Sequence, residues 1–202
     1  MTVRVVTDST ADIPPEILKE LDIAVVPIHV VFGENSYRDR VDIGEDEFYH
    51  RLSLDGVLPT TAVPSPKDFA TIYNNLAEET DKIISIHLTS KESGIYNSAL
   101  LAKDMVQKKC RIEVIDSQTI SMSYGLLAMA AAREAKAGAS LDQVADVVRR
   151  SVPRTHILFM VDTLKYVVRG GRVSRARGVL GSVLGVKPLL TLKEGHLTLS
   201  TH

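Results

Sequence analysis

Val3-Arg4-Val5-Val6-Thr7-Asp8-Ser9-Thr10 decides the fold: a run of β-branched residues that ends abruptly in oxygen-bearing side chains. A strand that is apolar on both sides is covered on both faces, as in a parallel sheet packed between helices. The pattern returns in KIISIHLTS from Lys82, RIEVIDSQT from Arg111 and HILFMVDTL from His156. These four stretches are expected to be buried strands.

Helix signals lie between them. Pro14-Pro15-Glu16 opens a helix, with Asp12 the expected N-cap and prolines in the first turn. Ser65-Pro66-Lys67-Asp68 opens another, and Ser140-Leu141-Asp142-Gln143 has the spacing of a capping box. Tyr124 to Ala137 is rich in Ala, Leu and Met and reads as helix. Strands that alternate with helices imply an α/β fold, a mostly parallel sheet with flanking helices joined by right-handed crossovers.

Two passages break the rhythm. Ile23 to Ile43 reads as two extended segments around Gly33-Glu34-Asn35, a hairpin. After Asp162 glycines crowd in at 170, 171, 178, 181, 185 and 195, and LTLKEGHLTLSTH reads as a second hairpin around Glu194-Gly195. The expected organisation is an α/β domain over 1–155 and the start of a second α/β domain over 156–202, truncated soon after it begins.

Bulk properties exclude several classes. The 202 residues are 45% hydrophobic and 24% charged, an ordinary globular composition. A formal net charge of −1 supplies no field for nucleic acid or an acidic membrane. Cys110 is the only cysteine, so neither an intrachain disulfide nor a cysteine-based zinc site can form. Its basic flanks would favour a thiolate if it were exposed; the simpler reading is a small residue entering a strand. The first strand turns polar too soon for a signal peptide, and no apolar run has membrane-spanning length. A cytoplasmic protein without stable membrane insertion is expected.

All four strands finish in similar chemistry: Asp8-Ser9-Thr10, Thr89-Ser90, Asp116-Ser117 and Asp162-Thr163. Ligands of open α/β sheets bind outside the carboxyl ends of the strands, so these residues should line one rim. The same residue types are also good helix caps and turn formers. Hydroxyls and helix-start amides suit an anion such as a carboxylate or phosphate. Ser93-Gly94 adds a serine at a helix start and a glycine that admits close approach, and Thr60-Thr61 adds hydroxyls in a proline-bounded loop.

Familiar catalytic signatures are missing. GxSxG, GxxxxGK[ST] and GxGxxG are absent, and no histidine pair has metal-ligand spacing. His87, within an apolar strand, reads as a satisfied core histidine. Asp8 and Asp116 could hold magnesium or could simply cap turns. Arg169-Gly170-Gly171-Arg172 opens a cluster of four arginines, reaching Arg177, that could clamp a phosphate, dock an acidic partner or stand in solvent. Without interleaved aromatics it does not argue for nucleic acid.

Taken together, TDSTADIP from Thr7, TAVPSP from Thr61, LTSKESGIYNSA from Leu88, IDS from Ile115, VDTLKYVVRGGRVSR from Val161 and VKPLL from Val186 resemble the DegV family in order. The resemblance implies a fatty-acid carrier with no catalytic residues, cofactor or metal. A long-chain acid such as palmitate or oleate would lie in a buried tunnel, its carboxylate held by Thr61 and Ser93. Asp8, Ser9, Gly94, Asp116 and Ser117 would support the rim. Arg169 and Arg172 would face a partner, an ATP-dependent fatty acid kinase that phosphorylates the bound acid. Glu92 and Ile95 stand where the family often has leucine and threonine. The rival reading is a phosphoryl-transfer or hydrolytic enzyme using the Asp/Ser rim.

Overall fold

The computed structural model describes residues 2–54, 58–172 and 187–200. At its centre is a four-stranded parallel sheet in the order β2-β1-β6-β7: β1 (Arg4–Asp8), β2 (Ile23–Val26), β6 (Lys82–His87) and β7 (Arg111–Asp116). The α/β class with flanking helices is therefore as the sequence implies. One strand assignment is corrected. Ile23–Val26 joins the parallel sheet through β1, whereas the HILFMVDTL segment contributes only β8 (Leu158–Met160) to a different sheet. Leu158 and Met160 are 61% and 60% exposed, so this strand is not covered on both faces.

The sheet core divides by the two-residue period of its strands. Val5, Ile84 and Ile86 pack with Leu21 of α1 (Pro15–Leu21), with Tyr124, Leu127, Ala128 and Ala131 of α5 (Met122–Lys136), and with Val144 and Val148 of α6 (Leu141–Ser151). Val6, Ile83 and Ile112 face Phe69 and Tyr73 of α3 (Pro66–Ala77) and Ile95 and Ala99 of α4 (Ile95–Ala102). The alanine-rich face of α5 permits its close approach. At Gly125 an added Cβ would lie 2.5 Å from the Ala11 carbonyl oxygen.

Ser65 with Asp68, and Ser140 with Gln143, form complete capping boxes at the starts of α3 and α6. The Asp12 expectation is corrected. Pro14 occupies the N-cap of α1, and Asp12 ends the preceding 3-10 turn, Ser9–Ala11, at φ 54°. Its carboxylate is drawn away by Ser121 Oγ at 2.6 Å and Arg40 at 3.4 Å.

Two smaller sheets complete the described structure. The expected hairpin is β3 (His29–Phe32) with β4 (Asn35–Arg38), and β5 (Thr60–Ala62) pairs with the other edge of β3. Beyond β4, α2 (Glu45–Leu54) packs Phe48 against Val30, Phe32 and Ile43. The third sheet is β10-β9-β8, in which β9 (Leu189–Lys193) and β10 (His196–Leu199) form the hairpin expected around Glu194-Gly195. A short helix, α7 (Lys165–Arg169), follows β8. Ser174, Arg175 and Arg177 of the basic cluster, and Gly178, Gly181, Gly185 and Val186, lie outside the described residues.

Candidate ligand site

The chain runs from β1 outward to β2 and later returns on the opposite side of β1 as β6. That reversal opens a crevice between the carboxyl ends of β1 and β6, the usual ligand position in an open α/β sheet. A cavity of about 300 Å³ lies there. Thr10 comes from just beyond β1, and Leu88, Glu92 and Ser93 from the loop after β6. Thr61, Ala62 and Val63 come from β5 and its exit, and Phe159, Leu192 and Leu197 from the third sheet. The volume is at the small end of ligand pockets, which run about 300–1,000 Å³. A groove of about 940 Å³ between α2 and α7 shares Thr61 and Arg172 with the cavity and adds Phe48, Leu52, Tyr166 and Arg169.

Thr61 and Ser93 therefore line one cavity although 32 positions separate them. Pairing of Thr61 with Val30 in the sheet register sets its place. Ser93 stands before Gly94, the N-cap of α4, and its Oγ accepts the Ile95 amide at 3.3 Å. Gly94 is exposed, and a Cβ there would only touch Val63 at 3.7 Å, so the position has room for a side chain. Arg172 borders both spaces, while Arg169 borders the groove.

The remaining rim residues sit one layer back, each holding a segment that reaches the cavity. Asp8 is fully buried. Its Oδ1 accepts the Thr10 amide at 3.1 Å, the Thr10 hydroxyl at 2.6 Å and the Tyr124 hydroxyl at 2.8 Å. Ser9 Oγ accepts the amide of Ile28, a lining residue, at 3.1 Å. Asp116 accepts the Ser90 amide at 3.2 Å and the Gln118 amide at 2.9 Å, anchoring the loop that carries Glu92 and Ser93. Ser117 Oγ accepts the amide of Thr119, the neighbour of lining residue Ile120. Asp162 and Thr163, from the misplaced strand, are exposed and absent from the cavity lining.

Thr10, part of the strand end expected on the rim, lines the cavity, whereas Glu92 was not singled out as a ligand-facing residue. Glu92 stands where the family often has leucine, but a glutamate in a surface-type loop reads as solvated. Its side chain is only 11% exposed, since the β9–β10 hairpin folds over it. Glu92 Oε1 accepts the Leu197 amide at 3.0 Å, and His196 Nδ1 lies 3.7 Å away, too far for a hydrogen bond. Thr89 Oγ1 also donates to the Gly195 carbonyl at 2.9 Å.

Two further expectations concern reactivity. Burial, with Asp81 adding a smaller repulsion, pushes the Cys110 thiol up, away from a thiolate. Among the described residues no group of three or more His, Cys, Asp or Glu side chains is placed to hold a metal ion. No helix among them is long and apolar enough to cross a membrane.

The family model described as "Uncharacterised protein, DegV family" matches residues 2–202. The chain belongs to the DegV family. A DegV domain-containing protein of Caldanaerobacter subterraneus is 43% identical over 195 residues, covering 96% of this chain and 69% of that one. Among solved structures, a DegV family protein from Thermus thermophilus described by its fatty acid binding has 37% identity and a TM-score of 0.89, over 99% of this chain and 71% of that chain. Bacillus subtilis DegV, described as a fatty acid binding protein, has 36% identity and a TM-score of 0.87, over 98% and 70%. A stearic acid-binding protein from Eubacterium ventriosum has 33% identity and a TM-score of 0.90, over 98% and 69%. The DegV fold of these bacterial proteins is the fold of this chain.

Proposed function

We propose that this DegV chain is a non-catalytic carrier that binds a long-chain fatty acid, with the carboxyl group at Thr61 and Ser93. The observation that carries the reading is that these two hydroxyl-bearing residues line one mainly apolar cavity at the β1/β6 crevice. Fatty-acid binding by the similar solved structures supports the ligand class.

The chemistry is consistent with the ligand. Each buried methylene contributes about 0.8 kcal/mol, so an acyl tail dominates affinity while the hydroxyls fix the head. The groove joined to the cavity through Thr61 and Arg172 offers further apolar wall for the tail. Arg169 and Arg172 are exposed beside it, which suits presentation of the bound acid to an ATP-using kinase. Asp8 and Asp116 spend their oxygens on donors of this chain, which favours the carrier over an enzyme built on the rim.

Native mass spectrometry of the protein as purified tests this directly. Expected is a co-purifying acyl species, or uptake of added palmitate or oleate at one per chain. The double variant Thr61→Ala, Ser93→Ala should bind at least tenfold more weakly. No acyl species and no uptake by the folded protein would overturn the reading.

A further inference from the structure

Glu92 places an acidic side chain in the wall of the cavity that also carries Thr61 and Ser93. It does not point freely into water: Oε1 is held by the Leu197 amide of the hairpin, and the side chain is 11% exposed. Among the described residues Oε2 has no hydrogen-bond donor. An ionised carboxylic ligand at the two hydroxyls would therefore meet a second carboxyl group across a small, half-open cavity. Like charges so confined do not both ionise without cost, and such pairs take up one proton between them.

We propose that Glu92 turns this into a two-carboxyl site, in which the bound fatty acid and Glu92 share one proton drawn from solvent on binding. The inference rests on the fatty-acid reading of the cavity. It adds that the ligand is held as an acid–carboxylate pair.

The charged and titratable neighbours decide whether the proton is needed. His196 approaches Glu92 from β10, with Nδ1 buried and without a hydrogen-bond partner. Arg172 lies across the cavity, but it is exposed and its guanidinium donates to the Gly170 carbonyl of its own turn. Lys91 is exposed beside Gly195. Asp116 and Asp8 lie behind the loop and the Thr10 turn, each satisfied by donors of the chain. Exposed cations are screened by water and salt, whereas the half-enclosed carboxyl pair is screened much less. The exposed cations therefore leave the pair largely uncompensated, with His196 Nδ1 its buried neighbour at 3.7 Å.

Calorimetric titration of the ligand-free full chain with dodecanoate tests the proposal in buffers of different ionisation enthalpy. At about pH 8, binding should take up on the order of one proton per ligand, and affinity should fall about tenfold per pH unit as pH rises. Glu92→Gln keeps a carbonyl oxygen for the Leu197 amide. It should bind dodecanoate with no proton uptake, more tightly at about pH 8, and with a flat pH profile. A purely structural role for Glu92 would change thermal stability and leave the proton count alone. Dodecanoate binding to the native chain without proton uptake would overturn the proposal and leave the carrier function standing, even if the variant failed to fold. Absence of any binding would overturn both.

Discussion

His87 Nδ1 lies 2.8 Å from Asp8 Oδ2, with both side chains completely buried in the parallel sheet. The other ring nitrogen meets Ser85 Oγ at 2.7 Å, and Ser85 accepts the Tyr73 hydroxyl at 2.8 Å. A carboxylate accepts only, so Nδ1 is the donor toward Asp8. The order Asp, His, Ser resembles a hydrolase relay. Yet Ser85 is fully buried on the face covered by α3 and is not among the residues lining the cavity at the strand ends. What the network does is hold Asp8, and through it Thr10, in place.

Asp8→Ala should therefore be severe. It strands the Thr10 amide, the Thr10 and Tyr124 hydroxyls and the His87 ring at once, and breaking one member of such a buried network costs about 3–5 kcal/mol. Urea unfolding should show a loss of unfolding free energy of that size. Asp8→Asn retains acceptor capacity and should lose less. A loss within the ordinary surface range, about 0.5 kcal/mol, would show that the network adds nothing.

Alkali should loosen the same region. Burial raises the Tyr124 phenol well above its usual value, with the Asp8 charge adding to it, and burial raises Tyr73 as well. A group whose folded value is raised binds its proton more tightly when folded. Its stabilisation is fully present below about pH 10 and is lost as pH rises beyond that. Phenolate absorbance should show two of the six tyrosines ionising only with unfolding. Smooth titration of all six in the native protein would contradict it.

The two capping boxes offer a paired comparison. Ser140→Ala and Ser65→Ala each remove an N-cap acceptor, at a cost of about 1 kcal/mol. Ser140 starts α6, remote from the cavity, and should leave ligand affinity unchanged. Ser65 ends the short loop that leaves β5, the strand carrying Thr61, and its loss should weaken binding as well. Chemical denaturation and ligand titration on both variants check the contrast.

Gly195→Ala should damage the hairpin contact. Its φ is +80° and an added Cβ would sit 2.6 Å from Thr89 Oγ1, so strain of about 1–3 kcal/mol is expected. Gly125→Ala should be at least as costly, since the obstacle there is the Ala11 backbone oxygen, which cannot rotate away. Thermal unfolding of the two variants ranks them.

How much of this was legible beforehand follows from which forces are local. The β1, β6 and β7 strands announced themselves because burial on both faces writes a continuous apolar run, and the capping boxes because Ser65 and Ser140 act on amides three residues away. β2 was obscured because Pro27 interrupts a single apolar stretch, which serves two sheets on either side of it. β8 misled because Leu158 and Met160 are apolar yet exposed. Asp12 was read as a cap on spacing alone, while its true partners, Ser121 and Arg40, are distant in sequence. In the site, Thr61 and Ser93 were reachable through family resemblance and their hydroxyls. Glu92 was not, because its burial depends on a hairpin more than a hundred residues downstream.

That dependence also orders events in time. The parallel sheet is complete once β7 has been synthesised, and with it the strand ends from which Thr10 and Ser93 depart. The opposite wall comes from Phe159, Leu192 and Leu197. A nascent chain emerging from the ribosome thus presents an open crevice for some eighty residues before the roof arrives, and its apolar lining faces water throughout that interval. The cavity gains that wall only when the β9–β10 hairpin zips onto Glu92 and Thr89, long after the strand ends beneath it have formed.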